Sequence, residues 1–369
     1  MMRATEMRCR VAVVEGKGRG VLASRKISVG ETVLRELPAA CVEIEPPEGV
    51  SAADPELYAA EQSWRVARQL AEAKSICDAE RNLMPHDDET HPIFEARRRH
   101  LDAGVDWIMR KCSGECTRTK KELKLLIAKV MLNSFHMPRT NSQGVFTFAS
   151  MFNHSNRPAL AHYFDQPSNA IVVRAVRDIE EGEEMCIAYV ELLAPLRSIR
   201  LELKAMYFFD IGCDEGLADD ELDAYCIEGA ASQDAISRIG DTRGRVEAAL
   251  GRLEESRGEP TASDVVVLLG LLKQMKENRF HPRHILMHRC QLALARALAC
   301  LGRRGQALPI ILAAIDTAQV RYPSKYWPRL GPMYKMAYLS SRDAGNAEVA
   351  KKYKDLYHGI QRVVLGMNV

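Results

Sequence analysis

The chain has 369 residues, of which 27% are charged and 47% belong to the apolar set. This length predicts two or three globular parts with a sizeable core. The 51 basic residues nearly cancel the 49 acidic ones, and the resulting net charge of +2 argues against a general nucleic-acid binder. The 10 cysteines form no compact framework, so reduced thiols are expected. With no apolar run near the ~18 residues of a spanning helix and a charged N-terminus, the sequence predicts a cytoplasmic or nuclear protein.

The first part of the chain has the composition of strands, then helices, then strands again. Residues 11–14 are a Val-rich strand candidate before the glycine-rich run 16–20, and residues 21–27 and 32–37 continue the strand pattern. Helical spacing of apolar residues then predicts helices over 57–83, 92–110 and 119–135. The third helix carries an apolar stripe formed by Leu123, Leu126, Ile127, Val130 and Met131. Strands are predicted again over 144–148, 170–176 and 185–189.

Beyond about residue 214 the chain is predicted to be helical to its end. An acidic stretch over 214–223 is followed by amphipathic segments, several joined by Gly or Pro. These predicted helices span 263–278, 284–301, 306–320, 332–343 and 347–359. Successive helices of this length suggest a tetratricopeptide-like lobe.

The glycines of the 16–20 run admit two interpretations. Gly-x-Gly-x-Gly after a strand could be the ligand-binding loop of a Rossmann-type S-adenosylmethionine or dinucleotide domain, which needs a helix directly after the glycines. Residues 23–33 have the pattern of a β-hairpin instead. This mismatch disfavours a Rossmann-type methyltransferase, and turn glycines in a hairpin are the plainer interpretation.

Four motifs occur in a fixed order along the chain. They are the Gly18-x-Gly20 turn, Asn153-His154-Ser155, the Ile-x-x-Gly-Glu-Glu of residues 179–184, and Tyr189 at the end of the next predicted strand. Together they resemble a SET-domain protein lysine methyltransferase. Four ordered matches are more specific than any one of them.

Further motifs are similar to the SMYD family, whose SET domain is split by an insert and followed by a helical lobe. Asn133-Ser134-Phe135 resembles the Asn-Ser-Phe that precedes the second half of that domain. Residues 207–209, Tyr-Phe-Phe, resemble the approach to its post-SET segment. The implied fold class is α+β, with a split β-rich SET domain, a helical insert and a tetratricopeptide-like C-terminal lobe. The implied parts are the SET domain over 1–40 and 119–194, the insert over 41–118, the post-SET segment over 195–216, and the lobe over 217–369.

Two departures from the family concern zinc. The insert holds only Cys41, Cys77, Cys112 and Cys116, and the last pair has no second pair at MYND-finger spacing. The family's post-SET zinc ligands correspond here to Asn156, Ile211, Cys213 and Gly216. A single thiolate cannot hold the metal, so zinc is not expected.

The resemblance implies S-adenosyl-L-methionine as the cofactor. The residues it places at that cofactor are Lys17, Gly18, Arg19, Gly20, Asn133, Asn153, His154 and Phe209. Lys17 or Arg19 would pair with the carboxylate, the asparagines and His154 would form hydrogen bonds, and Phe209 would supply an aromatic wall. Tyr189 would be the catalytic residue beside the methyl group.

The implied partner is a protein or peptide substrate bearing lysine, histone or not, with no membrane and no direct nucleic-acid contact. The alternative interpretation is a catalytically inactive SET-fold scaffold that binds partners through its helical lobe. The missing zinc ligands favour that alternative. The joint presence of Asn153, His154 and Tyr189 favours the enzyme.

Overall fold

The structure is a computed structural model that forms two compact units. The residues it describes are 8–45, 55–72, 82–86, 90–112, 117–166, 168–211, 222–223, 233–255 and 259–367. The first unit comprises residues 1–187 and 204–209, and the second comprises 188–203 and 210–369.

The first unit contains short strands. They are β1 (Cys9–Val14), β2 (Gly18–Ala23), β3 (Thr32–Glu36), β4 (Ala40–Glu43), β5 (Ser134–Met137), β6 (Ser142–Val145), β7 (Leu160–Asp165) and β8 (Ala170–Ala175). Among the described residues they form antiparallel sheets ordered β1-β2, β3-β8-β7 and β4-β6-β5. Val14 faces Gly18 across the first hairpin, so a strand follows the glycines, as predicted. A Rossmann loop requires a helix at that point and is therefore excluded.

The described residues between β4 and β5 are mainly helical. Their helices are α1 (Pro55–Glu72), α2 (Ile93–Ala96), α3 (Arg98–Lys111) and α4 (Lys120–Asn133). Thr119 caps α4 with a capping box, because its hydroxyl accepts from the Glu122 N–H while the Glu122 carboxylate accepts from the Thr119 N–H. The predicted stripe of α4 faces the core: Leu123, Leu126, Ile127 and Val130 are fully buried.

The helical segment begins after one strand of a sheet, β4, and ends before another strand of the same sheet, β5. Strand β6 pairs with β4 on one side and with β5 on the other. Residues 44–133 are therefore an excursion that begins and ends beside β6. The packing of α1 against β4 and β6 connects the excursion to the sheet.

Several predicted boundaries were wrong. The helix expected to end at residue 135 ends at Asn133, because Ser134 already pairs with Val145 in the sheet. The strand expected over 144–148 is β6, which ends at Val145. Residues 185–189 form no ladder, because the backbone groups of 185–187 bond to separate segments near Val21, Asn153 and Leu160.

The second unit consists mainly of helices. After α5 (Leu196–Tyr207), whose last residues group with the first unit, come α6 (Gln233–Glu255), α7 (Ala262–Glu277), α8 (Ile285–Cys300), α9 (Arg304–Arg321), α10 (Leu330–Asp343) and α11 (Ala347–Val363). From α6 to α11 each helix packs against the next one. The chain therefore has the predicted α+β class with a C-terminal helical lobe, and the tetratricopeptide-like repeat stays a prediction. Among the described helices, none has the length and apolarity needed to cross a membrane.

A glycine in α3 is required by close packing, which gives a first testable prediction. A Cβ at Gly104 would lie 2.6 Å from Nε1 of the buried Trp64 and 2.9 Å from Cδ1 of Ile127. Gly104→Ala should therefore destabilise the protein, because overpacking a core costs about 1–3 kcal/mol. Gly270→Ala is the control, since a Cβ there meets no atom within 4 Å. Denaturant unfolding that left Gly104→Ala as stable as the wild type would contradict this packing.

Candidate cofactor site

The turn between β1 and β2 is built by glycines in the left-handed region. Gly16 and Gly18 have φ angles of 71° and 74°, which a residue with a Cβ adopts only with strain. The Lys17 N–H donates to the Val14 carbonyl at 3.1 Å and closes the turn. The glycine run thus places Lys17 at the tip of the hairpin.

Asn153 joins this hairpin to a segment that lies far away in sequence. Its side-chain Nδ2 donates to the backbone carbonyl of Arg19 at 2.9 Å and to Oε1 of Glu184 at 2.9 Å. The structure therefore uses the carbonyl of Arg19, whereas the sequence prediction concerned its side chain. Both N–H donors of Asn153 are engaged within the protein, so the acceptor Oδ1 is the remaining hydrogen-bonding capacity of this side chain.

Gly20 allows this close approach. A Cβ at position 20 would lie 2.9 Å from Nδ2 of Asn153, 3.0 Å from Oε1 of Glu184 and 2.7 Å from Cγ2 of Val14. Real side chains essentially never approach that closely, so any larger residue would displace at least one of these groups. Gly20 is a packing requirement of the site.

Glu184 is a site residue that sequence reasoning missed. Its Oε2 forms an ion pair with Nζ of Lys17 at 2.8 Å while its Oε1 accepts from Asn153. The Glu184 side chain is 17% exposed and that of Lys17 is 47% exposed, so the pair lies at the surface end of the network. The sequence signal for it is the second glutamate of the Ile-x-x-Gly-Glu-Glu motif, which the resemblance named as a motif without giving Glu184 a role.

The backbone around the Asn-His-Ser motif is fixed by the segment after Glu184. The Ile187 N–H donates to the Asn153 carbonyl at 3.0 Å, and the Ser155 N–H donates to the Ile187 carbonyl at 3.1 Å. The Met185 N–H donates to the Val21 carbonyl at 2.8 Å, which ties the same segment to β2. The motifs predicted to act together therefore share one hydrogen-bonded framework.

His154 is buried and has a neighbour that explains its orientation. Its Nε2 lies 3.0 Å from Oδ1 of Asn156, which is also buried. Asn156 stands where the family pattern has a zinc-binding cysteine, and here it contacts His154 instead. The His154 ring also lies 6.2 Å from the ring of Phe209, centroid to centroid. The predicted His154 and Phe209 are thus neighbours.

Asn133 forms its hydrogen bonds outside the network of Asn153, Glu184 and Lys17. Its Nδ2 donates to the carbonyls of Met84 at 2.6 Å and Lys129 at 2.7 Å, and its own carbonyl accepts from the Ser150 hydroxyl. These bonds hold the end of α4 and run to groups other than Asn153. As with Asn153, the side-chain donors are used within the protein and the acceptor Oδ1 remains.

Tyr189 belongs to the second unit. Residues 188–203 group with the helical lobe, whereas Ile187 belongs to the first unit. The catalytic role of Tyr189 therefore stays a prediction.

The chemistry of the site is that of polar recognition. Lys17, Glu184 and Asn153 offer a cation, an anion and an amide acceptor. Cys186 is an unsuitable nucleophile, because burial, with a smaller contribution from Glu184, raises the pKa of its thiol to about 12.

The described residues include no group of three or more His, Cys, Asp or Glu side chains able to hold a metal ion. Cys77, Cys116, Cys213 and Gly216 lie outside the described residues, so the zinc content stays a prediction.

Comparison with known proteins gives a family match for part of the chain. Residues 18–190 match the family model described as the SET domain. This range contains β2, Asn153, Glu184 and Tyr189, and Lys17 directly precedes it. This part of the chain is therefore similar to a SET domain, and the resemblance to SMYD proteins is supported by the relatives below.

Among curated proteins, histone-lysine N-methyltransferase SMYD3 of Mus musculus is 25% identical over 205 residues, covering 54% of this chain and 45% of that protein. SMYD3 of Homo sapiens is 37% identical over 90 residues, covering 23% of this chain and 21% of that protein. The chain therefore spans less than half the length of these relatives. A solved structure, the SET domain of LSMT bound to lysine and AdoHcy, aligns over 97% of this chain and 89% of its own at 11% identity, but its TM-score of 0.36 adds no support.

Proposed function

We propose that this protein is an S-adenosylmethionine-dependent protein lysine N-methyltransferase acting on a histone or another protein in the cytosol or nucleus. The single observation that carries the proposal is the network of Gly20, Asn153, Glu184 and Lys17. This network joins three of the four ordered SET motifs. The similarity to SMYD3, named as a histone-lysine N-methyltransferase, supports the choice of reaction.

The donor set fits the amino-acid end of the cofactor. That end is a zwitterion, with an ammonium and a carboxylate on one carbon. The Lys17–Glu184 pair, at 2.8 Å, offers the complementary charges side by side, so Lys17 would hold the carboxylate. Oδ1 of Asn153 and the carbonyls at the hairpin would accept from the ammonium. Glycines at 18 and 20 allow a ligand to approach the backbone.

The protein's part in the reaction is positioning. When bound, S-adenosylmethionine would supply an electrophilic methyl group on its sulfonium, with the neutral thioether as the leaving group. The amine must first lose its proton, which an apolar channel favours by lowering the pKa of the lysine. Tyr189 would orient the methyl and the amine, and the Phe209 ring would attract a cation through its face. His154 and Asn133 would contact the rest of the cofactor.

Calorimetric titration with S-adenosylhomocysteine, combined with methyl transfer to histones and mixed lysine peptides, tests this proposal. Wild-type protein should bind with a micromolar Kd, about 8 kcal/mol of free energy. Gly20→Ala should weaken binding at least tenfold, because its methyl group displaces Asn153 or Glu184. Gly244→Ala is the matched control, since a Cβ there meets no atom within 4 Å.

Two results would count against the enzyme. Wild-type protein that binds no S-adenosylhomocysteine would leave the inactive scaffold as the better account. Equal affinity in Gly20→Ala and Gly244→Ala, with unchanged melting temperatures, would show that the cofactor binds elsewhere.

A further inference from the structure

The backbone that follows Tyr189 is held to the helical lobe by one carboxylate. Oε1 of Glu191 accepts a hydrogen bond from the Tyr322 hydroxyl at 3.0 Å, and Oε2 pairs with Nε of Arg329 at 3.1 Å. Both partners belong to the same unit as Glu191 and Tyr189. Glu191 is two residues after Tyr189, so this contact fixes the chain within ~7 Å of the tyrosine backbone.

Tyr322, the partner of Glu191 on the lobe, is buried and packed against its neighbours. Tyr322 is 7% exposed, directly follows α9, and stacks on the Trp327 ring at a centroid distance of 6.0 Å and an interplanar angle of 28°. Its N–H donates to the Ala318 carbonyl in the last turn of α9. Burial, with the neighbouring Glu191 charge, raises the pKa of Tyr322, so its hydroxyl keeps the proton that it donates. The contact is thus made by a fixed donor.

Glu191 also accepts a hydrogen bond from the backbone two residues after it. The Leu193 N–H donates to Oε1 of Glu191 at 2.9 Å, so one oxygen receives the Tyr322 hydroxyl and the local backbone together. The chain beyond Tyr189 is therefore tied to the lobe through a side chain that also sets its turn. Loss of the Tyr322 hydroxyl should therefore loosen both the attachment of this segment to the lobe and the turn after Glu191.

We propose that Glu191, held by Tyr322 and Arg329, is a positioning residue that sets the place of Tyr189 during methyl transfer. The proposal rests on the proposed function, since only that function gives Tyr189 a role in chemistry. A displacement of about 1 Å in a positioned group can reduce a rate about a hundredfold. Under this proposal, loss of the contact would lower turnover through Tyr189 and leave the affinity for S-adenosylhomocysteine, which is assigned to the Gly20–Asn153 network, unchanged.

The test removes the Tyr322 hydroxyl, which donates to Glu191. Tyr322→Phe keeps the ring that stacks on Trp327, and Tyr338→Phe, which removes a hydroxyl from α10 away from Glu191, is the matched control. Amide hydrogen exchange in peptides covering residues 188–195 should accelerate severalfold in Tyr322→Phe and not in Tyr338→Phe. In Tyr322→Phe, kcat should fall about fivefold or more, while the Kd for S-adenosylhomocysteine stays within twofold of the wild-type value.

A double-mutant cycle separates positioning from general structural damage. If Glu191 acts through Tyr189, Tyr322→Phe should lower kcat in the wild type but have little further effect in Tyr189→Phe. Glu191→Gln should retain part of the rate, because its amide oxygen still accepts from Tyr322. Equal losses of kcat in both backgrounds, or faster exchange with unchanged kcat, would overturn the positioning role. Wild-type protein without methyl transfer would instead refute the proposed function, even if the exchange result showed that the Glu191 contact exists.

Discussion

Replacing Asn153 with alanine should weaken the binding of S-adenosylhomocysteine about thirtyfold or more. The substitution removes both hydrogen bonds that join the Arg19 carbonyl and Glu184. A hydrogen bond to a charged ligand group contributes about 1.5–3 kcal/mol, and about 1.4 kcal/mol corresponds to a tenfold change in Kd. The acceptor Oδ1 is lost at the same time, so the ligand also loses a direct contact. Calorimetric titration measures the change.

A second asparagine provides the control for this experiment. Asn346 caps α11, where its Oδ1 accepts from the Val349 N–H at 3.1 Å. Asn346→Ala should lose about 0.5–2 kcal/mol of stability, as caps generally do, and leave the affinity unchanged. If Asn153→Ala bound as tightly as Asn346→Ala, the Asn153 network would have no part in cofactor binding.

Replacing Tyr189 with phenylalanine should reduce kcat at least tenfold, or change how many methyl groups are added, while cofactor affinity is retained. The change removes a single hydroxyl, so the ring continues to occupy its space. An interaction made only in the transition state lowers kcat without weakening ground-state binding, and a tenfold loss corresponds to ~1.4 kcal/mol. Mass spectrometry of a methylated peptide gives the rate and the distribution of mono-, di- and trimethyl products together.

The same assay can exclude Tyr189 from the mechanism. An unchanged rate and product distribution in Tyr189→Phe would do so, provided that Tyr338→Phe behaves as the wild type. A loss of S-adenosylhomocysteine affinity comparable to that in Asn153→Ala would instead assign Tyr189 to cofactor binding.

Local patterns predicted the hairpin and most of the helices, but they did not predict the shortest strands. The glycine run and the apolar stripe of α4 are local signals, and both features formed where expected. Strands β4 and β5 have four residues each, too few to show alternation. They exist because β6 pairs with both. The β4–β6 pairing joins residues about a hundred apart in sequence, whereas β5 and β6 form a hairpin that is too short to show a pattern of its own.

The same distinction holds at the site. The order of motifs indicated Gly20 and Asn153, and the structure brings these two together. Glu184 and Asn156 were missed as partners, because a hydrogen bond between distant side chains leaves no periodic trace in the sequence. The pairing of Lys17 with Glu184 was missed for the same reason, since these residues are 167 positions apart.

The length of the excursion between β4 and β5 contributes to the chain entropy that is lost when β4 and β5 pair with β6. Its two ends flank β6 at opposite ends of that strand, Glu43 beside Ser142 and Ser134 beside Val145, so they are about 14 Å apart. The entropy of closing such a loop grows only logarithmically, by about 0.6 kcal/mol for each doubling of its length. Added residues in this interval therefore change the closure entropy little, whereas the buried faces of α1, α3 and α4 are fixed by their packing in the core. The hairpin and Asn153 lie outside this interval, whereas Asn133 is its last residue and is bonded to Met84 within it.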